Sequence, residues 1–267
     1  MKKIRLIHNL PRTGGTIISK CIGAQRNVIL LSEIHEQGEL IRKKMGSDPD
    51  MANPLKQALK LSNFFNDKEK EKIQRTNYNF KDKINIIYEK AENNEKKLVI
   101  RDWSYIDFIG LPFSKPIYQN SLIKKLEKDY EIKNIYILRH PLENFFSINS
   151  LKIFNNKIPL DFFLKSYSLF FKEAARDRTY SYEKFTLDPD KDLKKICNNI
   201  EIEFDKKYLN NIGNFEITGD HKANSSNTVL PNEDKIMNFI NEEILLKIKK
   251  NKLYRNLIDE LKDFYSS

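Results

Sequence analysis

Short apolar runs alternate with longer segments of helical periodicity along most of the chain. Four of the apolar runs have the composition of strands, namely Ile4 to His8, Asn27 to Leu31, Leu98 to Arg101 and Asn134 to Leu138. Strands that alternate with helical patterns are typical of a parallel sheet covered on both faces. The sequence therefore predicts an α/β fold with a central parallel sheet flanked by helices and a mostly helical C-terminal part.

The lysine- and glutamate-rich segment 66–97 carries a narrow apolar stripe. Phe80, Ile84, Ile87 and Ala91 recur in it at helical spacing, which favours a helical insertion over a linker. No internal repeat and no hinge rich in proline, glycine and serine divides the sequence. We therefore expect residues 1–267 to form a single domain.

Composition limits the classes of function. No stretch approaches the about 20 consecutive apolar residues of a membrane helix, and the first residues lack the apolar region of a signal peptide. We therefore expect a soluble, cytoplasmic protein. The 2 cysteines among 267 residues are too few for a disulfide framework. A net charge of +10 is compatible with several anionic partners and does not choose between them.

The segment that follows the first strand has the chemistry of a phosphate-binding loop. It reads LPRTGGTIISK from Leu10 to Lys20. Paired glycines let the backbone turn its N–H groups toward an anion, and the following helix adds the positive end of its dipole. The segment lacks the lysine and hydroxyl pair of an ATPase or GTPase phosphate loop. We expect it to bind phosphate through Arg12, Thr13, Gly14, Gly15, Thr16 and Ile17.

Two motifs together resemble those of the sulfotransferases that use 3′-phosphoadenosine 5′-phosphosulfate (PAPS). Pro-Arg-Thr-Gly-Gly-Thr between a strand and a helix is similar to the loop with which that family binds the donor's 5′-phosphosulfate. The run IYILRHPLENFFS, from Ile135 to Ser147, resembles the family's 3′-phosphate motif. Arg139 offers a planar fork of donors suited to phosphate, and Pro141 marks a helix start.

The resemblance implies a P-loop-like sulfotransferase fold and an enzyme that transfers a sulfuryl group. PAPS would be the donor, 3′-phosphoadenosine 5′-phosphate (PAP) the product, and no metal would be needed. Arg139 and Ser147 would bind the 3′-phosphate. By the same resemblance Tyr182, in the run YSYEKF, would pack near adenine, and Lys222, in a polar loop from Gly219 to Asn227, would close over the 3′-phosphate.

The candidate general base lies after the second strand. The run LSEIHE, from Leu31 to Glu36, resembles the Glu-x-His segment of the glycan-modifying sulfotransferases, in which the glutamate is the base. In an extended segment Glu33 and His35 point to one face, and a hydrogen bond between them would tune the carboxylate. The alternative is that Glu33 caps the following helix and that His35 lies on the surface of that helix. Arg12 stands where other members carry a lysine that neutralises charge on the leaving group.

A second candidate for the base follows the third strand. Small-molecule sulfotransferases carry a Lys-x-His element there, whereas this chain reads Arg101, Asp102, Trp103 and Ser104. Tryptophan replaces the histidine, so the element departs from that branch. Arg101 would keep the positive charge and Asp102 would serve as a substitute base, unless the two form a local ion pair.

Two other classes of function stay open on the sequence. An ATP-dependent small-molecule or nucleotide kinase would use the same sheet and loop, although the phosphate-loop lysine is missing. A basic nucleic-acid-binding protein would use the lysines for phosphate contacts, although no recognition module is resembled. We expect a nucleotide donor and a small-molecule or glycan acceptor as partners, without nucleic acid or a membrane span, and the Glu-x-His segment favours a saccharide.

Overall fold

A five-stranded sheet in the order β2-β3-β1-β4-β5 forms the centre of the protein, and every neighbouring pair of strands is parallel. The computed structural model describes residues 2–154, 156–174, 178–212 and 242–266. The strands are β1 (Lys3–Asn9), β2 (Val28–Ile34), β3 (Lys97–Asp102), β4 (Glu131–Leu138) and β5 (Thr179–Ser181). The predicted α/β class is confirmed, and the four predicted strands are present. The three-residue β5 was not predicted.

Helices cover both faces of the sheet. A 3₁₀ turn at Pro49–Ala52 precedes α3, and the lysine-rich segment 66–97 contains α4, α5 and the first residue of β3. The helices are α1 (Gly15–Gly23), α2 (Gly38–Lys44), α3 (Pro54–Leu59), α4 (Asp67–Arg75), α5 (Phe80–Asn93), α6 (Ser104–Phe108), α7 (Ser121–Leu126), α8 (Pro141–Asn149), α9 (Leu160–Glu173), α10 (Tyr182–Leu187), α11 (Pro189–Asn199), α12 (Tyr208–Asn211), α13 (Glu242–Lys250) and α14 (Lys252–Ser266).

The central position of β1 follows from its side chains. Ile4 and Leu6 are fully buried in a cluster with α5, while Ile7 is fully buried on the other face among residues of α1 and α11. A strand that is apolar on both faces belongs in the interior of a parallel sheet. A third cluster, which includes Phe170 and Leu257, joins α6, α8, α9 and α14 to the end of β4.

The two cysteines lie in the core on the α1 side of the sheet. Both are free and buried. Burial raises the pKa of the Cys197 thiol to about 12, and it raises the pKa of the Cys21 thiol as well. Thiols with a raised pKa are poor nucleophiles. None of the helices in the described ranges is both long and apolar enough to cross a membrane.

The carboxyl ends of all five strands meet at one edge of the sheet. The predicted phosphate-binding loop leaves β1, Glu33 lies at the end of β2, Trp103 follows β3, Arg139 follows β4 and Tyr182 follows β5. Ligands of parallel α/β sheets bind outside this edge, where the connections diverge to either side. The fold therefore places the sequence candidates from five separate segments along the edge of the sheet at which folds of this kind form their binding crevice.

Candidate functional site

The turn between β1 and α1 needs glycine at two of its positions. Gly14 has a φ of 81°, in the left-handed region, and Arg12 has a φ of 66°. A Cβ atom on Gly14 would lie 2.0 Å from Cδ2 of Tyr182, and one on Gly15 would lie 2.3 Å from Cγ of Asn9. Left-handed geometry favours glycine, and the close neighbours leave no space for a side chain at either position.

Polar side chains hold this loop by its carbonyl groups. Thr13 Oγ1 donates to the Leu10 carbonyl at 2.7 Å, and Nδ2 of Asn144 on α8 donates to the Pro11 carbonyl at 2.6 Å. The N-cap residue of α1 is Gly14, which has no side chain that could cap the helix. The first N–H groups of a helix have no partner within the helix. This end of α1 is therefore suited to an anion.

Two arginines and a serine meet on the β4 side of the loop. Arg12 Nε donates to Ser147 Oγ at 3.0 Å, and Arg139 Nη1 donates to the Arg12 carbonyl at 3.3 Å. Burial lowers the pKa of the Arg12 guanidinium, and the neighbouring Arg139 cation lowers it further. An anion bound between the two cations would relieve this repulsion. Arg12, Arg139 and Ser147, which are three of the residues that were predicted to bind the donor, are thus brought together.

Arg139 is held in a fixed orientation. Its Nε and Nη2 donate to one oxygen of Glu143 at 2.9 and 2.8 Å, and Glu143 is 3% exposed. The guanidinium carbon lies 5.4 Å from the ring centre of Tyr182. Burial raises the pKa of the Tyr182 phenol, and the Arg139 cation opposes that rise. Tyr182 therefore touches both predicted phosphate elements, through Gly14 and through Arg139.

Arg101 and Asp102 are neighbours on β3, but their side chains serve opposite faces of the sheet. Arg101 Nε donates to Ser32 Oγ at 2.9 Å, and its Nη1 donates to Thr16 Oγ1 at 3.0 Å on the α1 face. Asp102 contacts His8 Nδ1 at 2.5 Å, and neither side chain of that pair is exposed. Arg101 is therefore at the phosphate-binding loop, while the carboxylate of Asp102 is in the interior.

Glu33 sits on a β-bulge. Its φ is 57°, and the register between β2 and β3 shifts between Ser32 and Ile34. One carboxylate oxygen accepts from Arg42 Nη2, and the other lies 3.5 Å from Arg101 Nη2. The side chain of Glu33 is 19% exposed. The bulge thus turns the carboxylate toward the crevice, next to an arginine that reaches the phosphate-binding loop.

His35 does not share the surroundings of Glu33. It is 4% exposed. Its Nδ1 accepts from the Gln37 amide at 3.0 Å, and its Nε2 contacts Asp107 at 3.1 Å and Ser121 Oγ at 2.8 Å. Because the serine and the aspartate meet the same ring nitrogen, the trio differs from a hydrolase triad, in which they use opposite nitrogens. The ring links the end of β2 to α6 and α7.

Two of the residues that were expected to contact the donor, Ile17 and Lys222, differ from the others. Ile17 is partly buried and packs against the core cluster on the α1 side, so only its backbone belongs to the site. Lys222 lies outside the described residues. In the described ranges, no group of three or more histidine, cysteine, aspartate or glutamate side chains is placed to hold a metal ion.

Sequence reasoning missed two residues of the site. Asn144 lies in the run between Arg139 and Ser147 and is fully buried. A polar residue among the apolar positions of a short helix was the signal that could have indicated its role. Arg42 lies in a basic run of α2 that reads RKK. Such a run is normally solvated, and nothing in it distinguishes the arginine that turns inward.

The fold is similar to that of solved sulfotransferases. The sulfotransferase domain of the Synechococcus PCC 7002 olefin synthase matches with a TM-score of 0.66 at 17% identity, covering 99% of this chain and 96% of that one. Mouse sulfotransferase SULT7A1 complexed with PAP gives a TM-score of 0.43 at 14% identity, covering 97% and 89%. A sulfotransferase from Alicyclobacillus acidocaldarius gives 0.42 at 11% identity, covering 79% and 90%. No protein-family model and no curated protein matches the sequence. The protein has the sulfotransferase fold.

A second glycine, Gly46, makes it possible to separate two costs of replacing Gly14 by alanine. One cost is the backbone strain of a left-handed alanine, and the other is the clash with the Tyr182 ring. Gly46 also has a left-handed φ, of 67°, but a Cβ atom there would meet nothing within 4 Å. We expect Gly46→Ala to lower the free energy of unfolding by about 1 kcal/mol from backbone strain alone. Gly14→Ala should lower it by about 2 to 4 kcal/mol, because the Tyr182 ring must also move. Chemical denaturation of both variants measures the difference, and equal losses would contradict the packing of Tyr182 on Gly14.

Proposed function

We propose that this chain is a sulfotransferase that transfers a sulfuryl group from PAPS to a hydroxyl or amine of an acceptor. The fold supports the reaction class. The residues that contact one another at the carboxyl edge of the sheet support PAPS as the donor. The acceptor would be a small molecule or a glycan.

The observation that carries the proposal is the order of the site residues along the sheet. Glu33 belongs to β2 and Tyr182 follows β5, and the phosphate-binding loop of β1 lies between them. Each outer strand is two strands away from β1, or roughly 10 Å at the usual strand spacing. A donor whose phosphosulfate occupies the loop and whose nucleoside extends toward β4 and β5 would leave its sulfuryl group facing the β2 side, where Glu33 lies.

The 5′ end of the donor would be held by the N-terminus of α1 together with Thr13, Thr16 and Arg101. The helix supplies N–H groups and the positive end of its dipole. Arg101 already donates to Thr16 Oγ1 at 3.0 Å, which supports a role in which its charge would stabilise the bridging oxygen of the donor as that oxygen becomes negative. The guanidinium of Arg12 is directed at Ser147 instead, and we therefore assign part of the role expected of Arg12 to Arg101.

The 3′ end of the donor would be held by Arg12, Arg139 and Ser147, with Tyr182 beside them. Two cations and a hydroxyl converge there. A phosphate dianion has the charge and the acceptor oxygens to engage all three groups. Glu143 keeps the guanidinium of Arg139 oriented, so less side-chain entropy is lost when the phosphate binds.

In the transfer step, the acceptor oxygen or nitrogen attacks sulfur in line with the bond to the bridging oxygen. As the new bond to sulfur forms, the bond between sulfur and the bridging oxygen breaks, and PAP leaves with the electron pair. The acceptor proton passes to the carboxylate of Glu33, which we propose as the general base. Arg101 and the α1 N-terminus stabilise the charge on the departing phosphate. His35 acts as a positioning residue by fixing the end of β2.

Donor identity can be tested by binding alone. We expect PAP to bind at least about tenfold more tightly than adenosine 5′-phosphate, because a 3′-phosphate would add charge-assisted hydrogen bonds to Arg12, Arg139 and Ser147 that adenosine 5′-phosphate cannot make. Calorimetry with PAP, adenosine 5′-phosphate, ATP and a random oligonucleotide compares the donor with the ligands of the other two functional classes. Equal affinities for PAP and adenosine 5′-phosphate, or tighter binding of ATP or of the oligonucleotide, would contradict the proposal.

The position of the 3′-phosphate can be tested with Arg139→Lys. An alanine there would leave Glu143 buried without this cation, which is costly in itself, whereas lysine keeps the charge and loses the planar fork. We expect Arg139→Lys and Ser147→Ala each to weaken PAP by about tenfold, a loss of about 1.4 kcal/mol, and to leave adenosine 5′-phosphate unchanged. A uniform loss for both nucleotides would place the 3′-phosphate elsewhere.

The general base can be tested once a panel of glycans and small alcohols has supplied an acceptor. We expect Glu33→Gln to lower turnover by roughly a hundredfold or more, since that is the scale of a lost general base, with PAP affinity nearly unchanged. Glu36→Gln is the matched control, because Glu36 is 51% exposed and pairs with Lys125. Full turnover in Glu33→Gln would remove Glu33 from the mechanism and weaken the preference for a saccharide acceptor.

A further inference from the structure

A continuous set of contacts links the phosphate-binding loop to the single tryptophan of the sequence. It begins at Thr16, whose Oγ1 accepts from Arg101 Nη1 at 3.0 Å. Arg101 Nη2 lies 3.5 Å from one oxygen of Glu33, and the other oxygen of Glu33 accepts from Arg42 Nη2. The guanidinium carbon of Arg42 lies 4.9 Å from the ring centre of Trp103.

Arg42 is an unusual member of this set, because it is a buried arginine from a basic surface helix. It is 8% exposed, and within the described residues its Nε is buried without a hydrogen-bond partner. Its Nη1 faces the thioether sulfur of Met51 at 3.8 Å. A buried guanidinium needs a carboxylate and polar or aromatic neighbours to offset its lost hydration. Glu33 and the face of Trp103 supply these contacts.

We propose that Arg42 is a positioning residue of the transfer site, which holds the Glu33 carboxylate beside the phosphate-binding loop and shifts on Trp103 when a phosphate enters that loop. The inference rests on the proposed function, because it takes the loop to bind the 5′-phosphate of the donor. It adds a residue that the loop motifs do not contain, and it couples the donor side of the crevice to the acceptor side.

Arg42 would shift because Arg101 is shared between Thr16 of the loop and Glu33. A contact of 3.5 Å to Glu33 is at the long limit of a hydrogen bond. A phosphate at the N-terminus of α1 offers Arg101 charge-assisted hydrogen bonds, which are stronger than its bond to the hydroxyl of Thr16. Once Arg101 turns toward the phosphate, Glu33 loses its contact with Arg101 and keeps only the ion pair with Arg42. The Arg42 guanidinium then follows the carboxylate, and its stacking on Trp103 changes.

Tryptophan fluorescence reports on this movement directly, since Trp103 is the only tryptophan. The experiment titrates the full chain with PAP, records emission under excitation selective for tryptophan, and measures PAP affinity in parallel by calorimetry. We expect a change in wild-type emission whose midpoint matches the calorimetric Kd. Arg42→Met, which keeps the length and apolar stem, should still bind PAP by calorimetry and lose most of the emission change at saturating PAP.

Two further variants control for charge and for folding. Arg42→Lys keeps the charge without the planar fork and should also lose most of the change, so it decides the question if Arg42→Met does not fold. Arg75→Met removes an exposed arginine, 77% accessible, at the end of α4, and should keep the full response. Thermal unfolding of each variant shows which of them are folded.

The possible results separate the two proposals. If PAP binds and wild-type emission does not change, or if the folded Arg42 variants keep the full change, the coupling through Arg42 is wrong and the proposed function stands. If calorimetry shows no binding of PAP to the wild-type protein, the proposed function fails, and the inference fails with it.

Discussion

The left-handed turn at Arg12 and Gly14 is the constraint on which the rest of the site depends. Each non-glycine residue held in that region costs on the order of 1–3 kcal/mol, so the conformation of Arg12 must be stabilised by its surroundings. Asn144 holds the preceding carbonyl, and Arg139 donates to the carbonyl of Arg12 itself. The missing Cβ of Gly14 admits the ring of Tyr182. The same turn therefore presents the α1 N-terminus and brings β4 and β5 against it.

Two carboxylates orient the cations of the site. Glu143 accepts two hydrogen bonds from Arg139, and Glu33 lies between Arg42 and Arg101. Each pair fixes a long side chain before any ligand arrives, which lowers the entropy lost on binding. The two carboxylates differ in their surroundings, since Glu143 is almost fully buried while Glu33 is 19% exposed. Of these two carboxylates, Glu33 is the more accessible to solvent, which is why we propose it and not Glu143 as the general base.

The sequence predicted those parts of the fold and the site that depend on local chemistry. The glycine pair, the run from Arg139 to Ser147 and four of the strands were visible because each has a pattern of its own, whereas β5 is too short to show alternation. Glu33 and His35 were expected on one face, but a bulge at Glu33 breaks the period of two, and a glutamate at a left-handed φ gives no warning of it. Arg42 depends on tertiary contacts that no local pattern encodes.

Alternation along β3 places the two candidate bases in different surroundings and supports our proposal of Glu33. Arg101 and Asp102 must point to opposite faces, and the hydroxyl of Thr16 identifies the face of Arg101 as the one that α1 covers. The carboxylate of Asp102 is therefore directed away from the phosphate-binding loop, into contact with His8. Strand β3 therefore directs a cation, and not its neighbouring carboxylate, toward Thr16 of the loop. The carboxylate beside that cation comes from the next strand, β2, where the bulge at Glu33 brings one oxygen to 3.5 Å from Arg101 Nη2.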